Sequence, residues 1–144
     1  MVINEQCIFL DGEVETGCFM QLNEYDIKKT TKKYLICKRG NSYIPIRSTE
    51  LYIFYVVSKV TFVKDKAGNK YTIEKSLSEL EEQLDKKVFF RANRKVFLNV
   101  NAIREYKMIE FGKIAISVKD KEFKNEIIVS QVTAPLFKKW INDL

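Results

Sequence analysis

Residues 88–103, Val-Phe-Phe-Arg-Ala-Asn-Arg-Lys-Val-Phe-Leu-Asn-Val-Asn-Ala-Ile, constrain this chain more than any other stretch. The apolar pair Phe89 and Phe90 requires a core, and alternation resumes from Val96 through Val100. Between them, Arg91, Asn93, Arg94 and Lys95 fall within five positions. The pattern predicts a polar, cationic loop held at both ends by anchored hydrophobics, the second anchor being a strand. Arg, Asn and Lys on a rigidly mounted loop suit phosphate oxygens and purine edges. The same residues suit a solvated turn between a helix and a strand, and composition alone leaves both readings open.

The chain has 144 residues, enough for one domain with a real core. Hydrophobic residues make up 46% and charged residues 31%, a globular balance. No apolar run approaches the roughly 18 residues a membrane span needs, and no secretory signal is visible at the N-terminus. Cys7, Cys18 and Cys37 lie far apart without metal-ligand spacing, so they read as ordinary thiols of a reducing cytoplasm. There is no histidine, which excludes His-based metal sites and Ser-His or Cys-His nucleophile pairs. No phosphate-cradling glycine loop, metal cluster or nucleophile elbow stands out. The sequence is therefore not expected to be an enzyme or to carry a cofactor or metal.

The net charge of +6 hides an asymmetry. Residues 1–27 hold six acidic residues and no Lys or Arg, which leaves 25 basic against 13 acidic residues beyond them, a net of +12. Such a surplus favours a polyanionic partner through counterion release.

Along the chain, residues 1–31 read as an acidic N-terminal extension or linker. Within it, Cys7-Ile8-Phe9-Leu10 suggests a short strand, Asp11-Gly12 a turn, and Phe19, Met20, Leu22 and Tyr25 a helical turn. The acidic segment either shields the basic surface or is a solvated extension or added edge strand. Residues 32–47 predict two strands around Gly40-Asn41, with Tyr34 and Ile36 opposite Leu35 and Cys37, covered on both faces. Pro45 places its strand at an edge or end. Residues 51–57 are almost wholly apolar and β-prone, as a central buried strand is. Ser58-Lys59 interrupts that run, strand character resumes at residues 60–63, and Ala67-Gly68-Asn69 turns it back into residues 71–73. Residues 76–86 predict a helix opened by a Ser76–Glu79 capping box, with Leu77, Leu80 and Leu84 on one face. Its glutamates make it scaffold rather than a recognition helix. Strands follow at residues 102–108, 113–118 and 126–129. Residues 134–144 carry Leu136, Phe137, Trp140 and Ile141 at helical spacing, a packing stripe with Pro135 in the first turn.

The motif Phe-Phe-Arg-Ala-Asn-Arg-Lys-Val-Phe-Leu-Asn-Val-Asn-Ala-Ile resembles the signature of the LytTR family, the DNA-binding output domains of bacterial response regulators. Other segments fit in the same order: Lys38-Arg39-Gly40-Asn41 with Tyr43-Ile44-Pro45-Ile46, Glu50-Leu51-Tyr52-Ile53-Phe54, Leu77-Ser78-Glu79-Leu80-Glu81, Ile127-Ile128-Val129-Ser130 and Phe137-Lys138-Lys139-Trp140. The resemblance covers residues 32–144, the expected DNA-binding domain. It implies a mainly β fold of small packed antiparallel sheets with one short helix and a C-terminal helical segment.

The resemblance also implies that loops, not a recognition helix, enter successive major grooves and bend the DNA. Carried over by position, these are Ser58-Lys59, the loop with Arg91, Asn93, Arg94 and Lys95, and Ser130-Gln131. Relatives often have Arg after the Ser of the third loop, so Gln131 departs from the pattern; Gln pairs with adenine. The expected protein is a sequence-specific transcription regulator in the cytoplasm, the output domain of a two-component response regulator or a stand-alone relative. Its expected partner is double-stranded DNA with repeated half-sites, bound by a homodimer, with no membrane partner. The competing class is a β-rich, non-enzymatic interaction module docking an acidic protein.

Overall fold

The computed structural model describes residues 31–144 apart from Asn125. The strand, turn and helical turn expected within residues 1–30, and the shielding expected of them, lie outside the described residues. Among the described residues, ten strands and two α-helices follow in order: β1 (Tyr34–Arg39), β2 (Ser42–Arg47), β3 (Leu51–Val57), β4 (Val60–Asp65), β5 (Lys70–Ile73), α1 (Leu77–Gln83), β6 (Phe89–Asn93), β7 (Val96–Asn99), β8 (Ile103–Met108), β9 (Ile114–Val118), β10 (Ile127–Val129) and α2 (Ala134–Asn142). Every pairing is antiparallel. Seven strands form one sheet in the order β2-β1-β5-β4-β3-β7-β6, and three form another in the order β10-β9-β8.

The run at residues 51–57 is the middle of the large sheet, because its apolar side chains serve two cores. The first core gathers Leu35, Leu51, Phe54, Val63, Ile73, Phe89 and Phe97 against Leu77 and Leu80 of α1 and Leu84 just beyond it. The second gathers Ile53, Val96 and Leu98 against Ile114, Ile116, Ile127 and Val129 of the small sheet and Phe137 of α2. A shift of register between Leu51 and Ile53 resets the alternation, so Leu51 and Phe54 face the same core. The pair Phe89–Phe90 is divided between the cores. Phe89 stacks on Phe97, with centroids 5.5 Å apart, while Phe90 lies 5.1 Å from Trp140 and 5.5 Å from Phe137.

Gly40 takes φ +62 in the turn that closes the β1–β2 hairpin, a backbone setting glycine adopts without steric cost. Pro45 sits on β2, the edge strand, where its missing N–H costs no ladder bond. One expectation is overturned here: β1 is covered on one face only. Leu35 and Cys37 are buried, whereas Tyr34 and Ile36 are 51% and 55% exposed. The small sheet packs on the β3, β7 and β6 side of the large sheet and leaves the outer face of β1 open.

The expected capping box is present: the Glu79 amide donates to Ser76 Oγ at 3.1 Å, and the Ser76 amide donates to Glu79 Oε1 at 2.9 Å. The Ser76 amide holds the Glu79 carboxyl below its ordinary value. The helix nevertheless ends at Gln83 rather than at residue 86. Leu84 is extended, and Asp85 takes over the following turn. Its Oδ1 accepts from the Lys87 amide at 2.9 Å, and its carbonyl accepts from Phe89 at 3.0 Å. The C-terminal stripe is also narrower than expected: Phe137 is buried and Trp140 and Ile141 pack beside it, but Leu136 is 61% exposed.

Candidate nucleic-acid interface

The sequence places a cationic loop at residues 91–95, but the backbone narrows it. β6 runs on to Asn93, which pairs with Val96, so only Arg94 and Lys95 form the turn. A register shift between Arg91 and Asn93 re-aims the side chains there. Arg91 lies along the strand and is half-buried. Its Nε donates to the Asn93 carbonyl at 2.8 Å, and its Nη2 donates to the Arg94 carbonyl at 2.9 Å. Its Nη1 meets Glu81 Oε1 of α1 at 3.2 Å. Asn93 is also engaged: Nδ2 donates to the Ile128 carbonyl at 3.1 Å, and Oδ1 accepts from the Lys95 amide at 2.8 Å. Arg94 and Lys95 are exposed.

The Ser58–Lys59 turn is a two-residue hairpin connection between Val57 and Val60, which pair directly. Its residues have φ +50 and +67. Two positive values in succession match the right-handed twist of the flanking strands, at a cost for residues with a Cβ. Both residues are exposed.

The third turn joins β10 to α2. The Ser130 carbonyl accepts from the Ala134 amide at 2.8 Å, and its hydroxyl lies 3.3 Å from Thr133 Oγ1. Ser130 therefore shapes the entry to the helix. Gln131 and Val132 are exposed, Val132 at 85%. Gly112, at φ +73, leaves room for this turn: a Cβ there would lie 3.3 Å from Gln131 Cγ.

The fold sets the first two turns side by side and brings the strand before the third close to the second. β3 runs beside β7 with Tyr55 opposite Val96, and the Val56 amide donates to the Lys95 carbonyl at 3.0 Å. The ends of the first and second hairpins are therefore neighbours. Lys59, Arg91 and Arg94 line one groove of about 540 Å³ together with Lys75 and Glu74. The bond from Asn93 to Ile128 brings the start of the third turn, two residues further on, beside the second. Of the eight residues singled out by sequence, Ser58, Lys59, Arg94, Lys95, Ser130 and Gln131 are exposed, Ser130 with its hydroxyl engaged at the helix entry, whereas Arg91 and Asn93 are spent on the turn itself.

Sequence reasoning missed Glu81 as the partner of Arg91. It also missed a cluster on the far side of β4. Lys64 is only 6% exposed and meets Asp120 Oδ2 at 2.9 Å and Glu122 Oε1 at 3.3 Å. Burial works against the charge of Lys64, but the two carboxylates outweigh it and raise its pKa above the ordinary value. Burial likewise opposes ionised Asp120, but Lys64 and nearby backbone amides hold that carboxyl below its ordinary value. The available signal was alternation, since Lys64 shares the phase of Phe62 on the β-prone strand Val60–Asp65.

Antiparallel sheets joined by polar and basic turns define a mainly β domain. Within that class the assignment is specific. The family model of the LytTr DNA-binding domain matches residues 41–142, and the chain belongs to the LytTR family. Its fold is similar to a solved LytTr DNA-binding domain, from a protein described as a methyl-accepting/DNA response regulator of Bacillus cereus, with a TM-score of 0.66 and 25% identity. That match covers 76% of this chain and 97% of the other. Among curated proteins, none matched this sequence.

Proposed function

We propose that this chain is a sequence-specific DNA-binding transcription regulator that reads duplex DNA with its three turns. The observation that carries the reading is that Lys59 and Arg94 share one groove, while the bond from Asn93 to the Ile128 carbonyl draws the strand leading to Ser130-Gln131 beside the Arg94–Lys95 turn. Arg94 has the fork geometry to take guanine O6 and N7 together, which Lys cannot copy. Lys59 and Lys95 supply charge for phosphates, and Gln131 suits adenine. The turns enter the major groove over repeated half-sites and a homodimer holds both. The natural setting is the cytoplasm, as the output domain of a two-component regulator or as a stand-alone relative.

The test is a binding titration on a duplex selected from a randomised pool and on its scrambled version, across salt concentrations. The parent protein shows a log–log salt slope of about −0.9 per neutralised phosphate. Arg94→Ala costs about 1–3 kcal/mol on the selected duplex and relaxes preference at one base pair. Lys95→Ala weakens both duplexes alike and reduces the slope by about one unit. A parent that retains neither duplex at low salt sinks the reading, and a slope near zero favours the interaction-module alternative. If Arg94→Ala discriminates as well as the parent does, base reading belongs elsewhere.

A further inference from the structure

We infer that Arg91 and Glu81 are positioning residues that shape the Arg94–Lys95 turn, and that neither touches DNA; the inference rests on the DNA-binding reading above. The Arg91 guanidinium spends its Nε on the Asn93 carbonyl at 2.8 Å and its Nη2 on the Arg94 carbonyl at 2.9 Å. It therefore grips the backbone of the turn at two successive residues. Its Nη1 rests on Glu81 Oε1 at 3.2 Å, which fixes the fork from behind. Three of its five N–H donors are thus committed, one on each nitrogen, so a bidentate grip on guanine would have to share nitrogens already engaged in the turn. Asn93 holds the other flank, through the Lys95 amide and the Ile128 carbonyl. Arg94, the exposed cation between these braces, is left to read.

This assignment reverses the sign expected of Glu81. A carboxylate beside a DNA-binding turn repels phosphate, so simple electrostatics has its removal strengthen binding. The Glu81 side chain is 46% exposed, so its ion pair adds little by charge alone. Its contribution is geometric, because it sets where the Arg91 fork lies. Loss of that acceptor loosens the turn and weakens discrimination.

The experiment compares Glu81→Ala, Glu81→Gln, Arg91→Lys and Arg91→Ala in the full chain, on the selected and scrambled duplexes. Glu81→Gln keeps a carbonyl acceptor for Arg91 and holds the specific-to-scrambled affinity ratio near that of the parent. Glu81→Ala lowers the ratio about tenfold, the scale of one charge-assisted hydrogen bond. Arg91→Lys keeps the charge but loses the fork, and lowers the ratio similarly. Two outcomes overturn the inference. In one, Glu81→Ala and Glu81→Gln raise affinity equally, as relieved repulsion requires. In the other, Arg91→Lys matches the parent while Arg91→Ala lowers the salt slope by about one unit, as a phosphate contact requires.

Amide hydrogen exchange supplies a second readout without DNA. The Lys95 amide, held by Asn93 Oδ1 at 2.8 Å, exchanges faster in Glu81→Ala than in Glu81→Gln. Core amides such as Leu98 remain protected in both. Equal Lys95 exchange in the two variants overturns the clamp even if the parent protein binds no DNA; failure of the parent to discriminate duplexes sinks only the functional reading.

Discussion

The β3–β4 and β6–β7 hairpins stand side by side in one sheet, yet they are held differently. Both are anchored at the base. Lys64 ties the open end of β3–β4 to Asp120 at 2.9 Å, and Asn99 ties the open end of β6–β7 to the Leu51 carbonyl at 3.2 Å. At the tips they diverge. The Arg94–Lys95 turn is braced by side chains, with Arg91 gripping two carbonyls and Asn93 bridging to β10. The Ser58–Lys59 turn owes its shape to the backbone itself, at φ +50 and +67. A braced tip holds its groups at fixed positions, as base recognition demands. A tip set by its backbone suits contact with phosphate, where a point charge on a flexible stem is enough.

The largest effect is expected below both tips. Phe97 is 2% exposed and its ring lies 5.7 Å from Phe54, so the two hairpins stand on shared aromatic packing. Phe97→Ala lowers stability by about 3–5 kcal/mol, measured by denaturant unfolding. Exchange protection at both hairpins falls together. If only the β6–β7 hairpin loosens, the mounts are separate and the common foundation is wrong.

A smaller loss is expected at the base of β3–β4. Asp120→Asn costs about 3 kcal/mol, the low end for breaking a buried pair, because Glu122 stays near Lys64. The pH dependence has a definite direction. Asp120 has a folded pKa below its unfolded value, so its contribution is complete above about pH 4 and is lost as pH falls through the folded value. Lys64 has a folded pKa above its unfolded value, so its contribution is complete below about pH 10 and is lost as pH rises through the folded value. Unfolding across pH therefore shows a shallower acid limb in Asp120→Asn than in the parent. An unchanged acid limb places the acid sensitivity on other carboxylates.

The smallest effect is at the unbraced tip, and its sign is opposite. Replacing Ser58 by Asn and Lys59 by Gly supplies residues that accept positive φ, and raises stability by about 0.5–1 kcal/mol. Loss of the Lys59 charge weakens DNA binding on all sequences alike and trims the salt slope by about one unit. A change in sequence preference from this pair would erase the contrast between the two tips.

Much of the framework was legible because local chemistry and tertiary structure agree. Gly40-Asn41, Ala67-Gly68-Asn69, the Ser76–Glu79 box and the apolar run of β3 each act through their own neighbours. The open face of β1 was not legible, because Tyr34 and Ile36 are as apolar as Leu35 and Cys37, and only the placement of the small sheet separates them. The site was half legible. Composition identifies the donors Arg91, Asn93 and Arg94, but not which of them already has an acceptor. The Asn93 and Arg94 carbonyls, the Ile128 carbonyl and the Glu81 carboxylate come within reach only after the chain pairs. The resemblance to the LytTR family located the three turns; it did not separate residues that shape a turn from residues that leave it.

Asn99 has a consequence for how the chain finds its pairing. It is wholly buried, its Nδ2 lies 3.2 Å from both the Thr49 and Leu51 carbonyls, and its Oδ1 accepts from the Asn101 amide at 2.8 Å. Sliding β7 by one residue would turn its side chains to opposite faces and strand this amide among apolar neighbours. An apolar side chain could tolerate such a slip, but a buried amide without partners costs about 1–3 kcal/mol. Asn99 therefore works as a gauge of alignment, penalising misregistered pairings during assembly of the sheet that carries the turns.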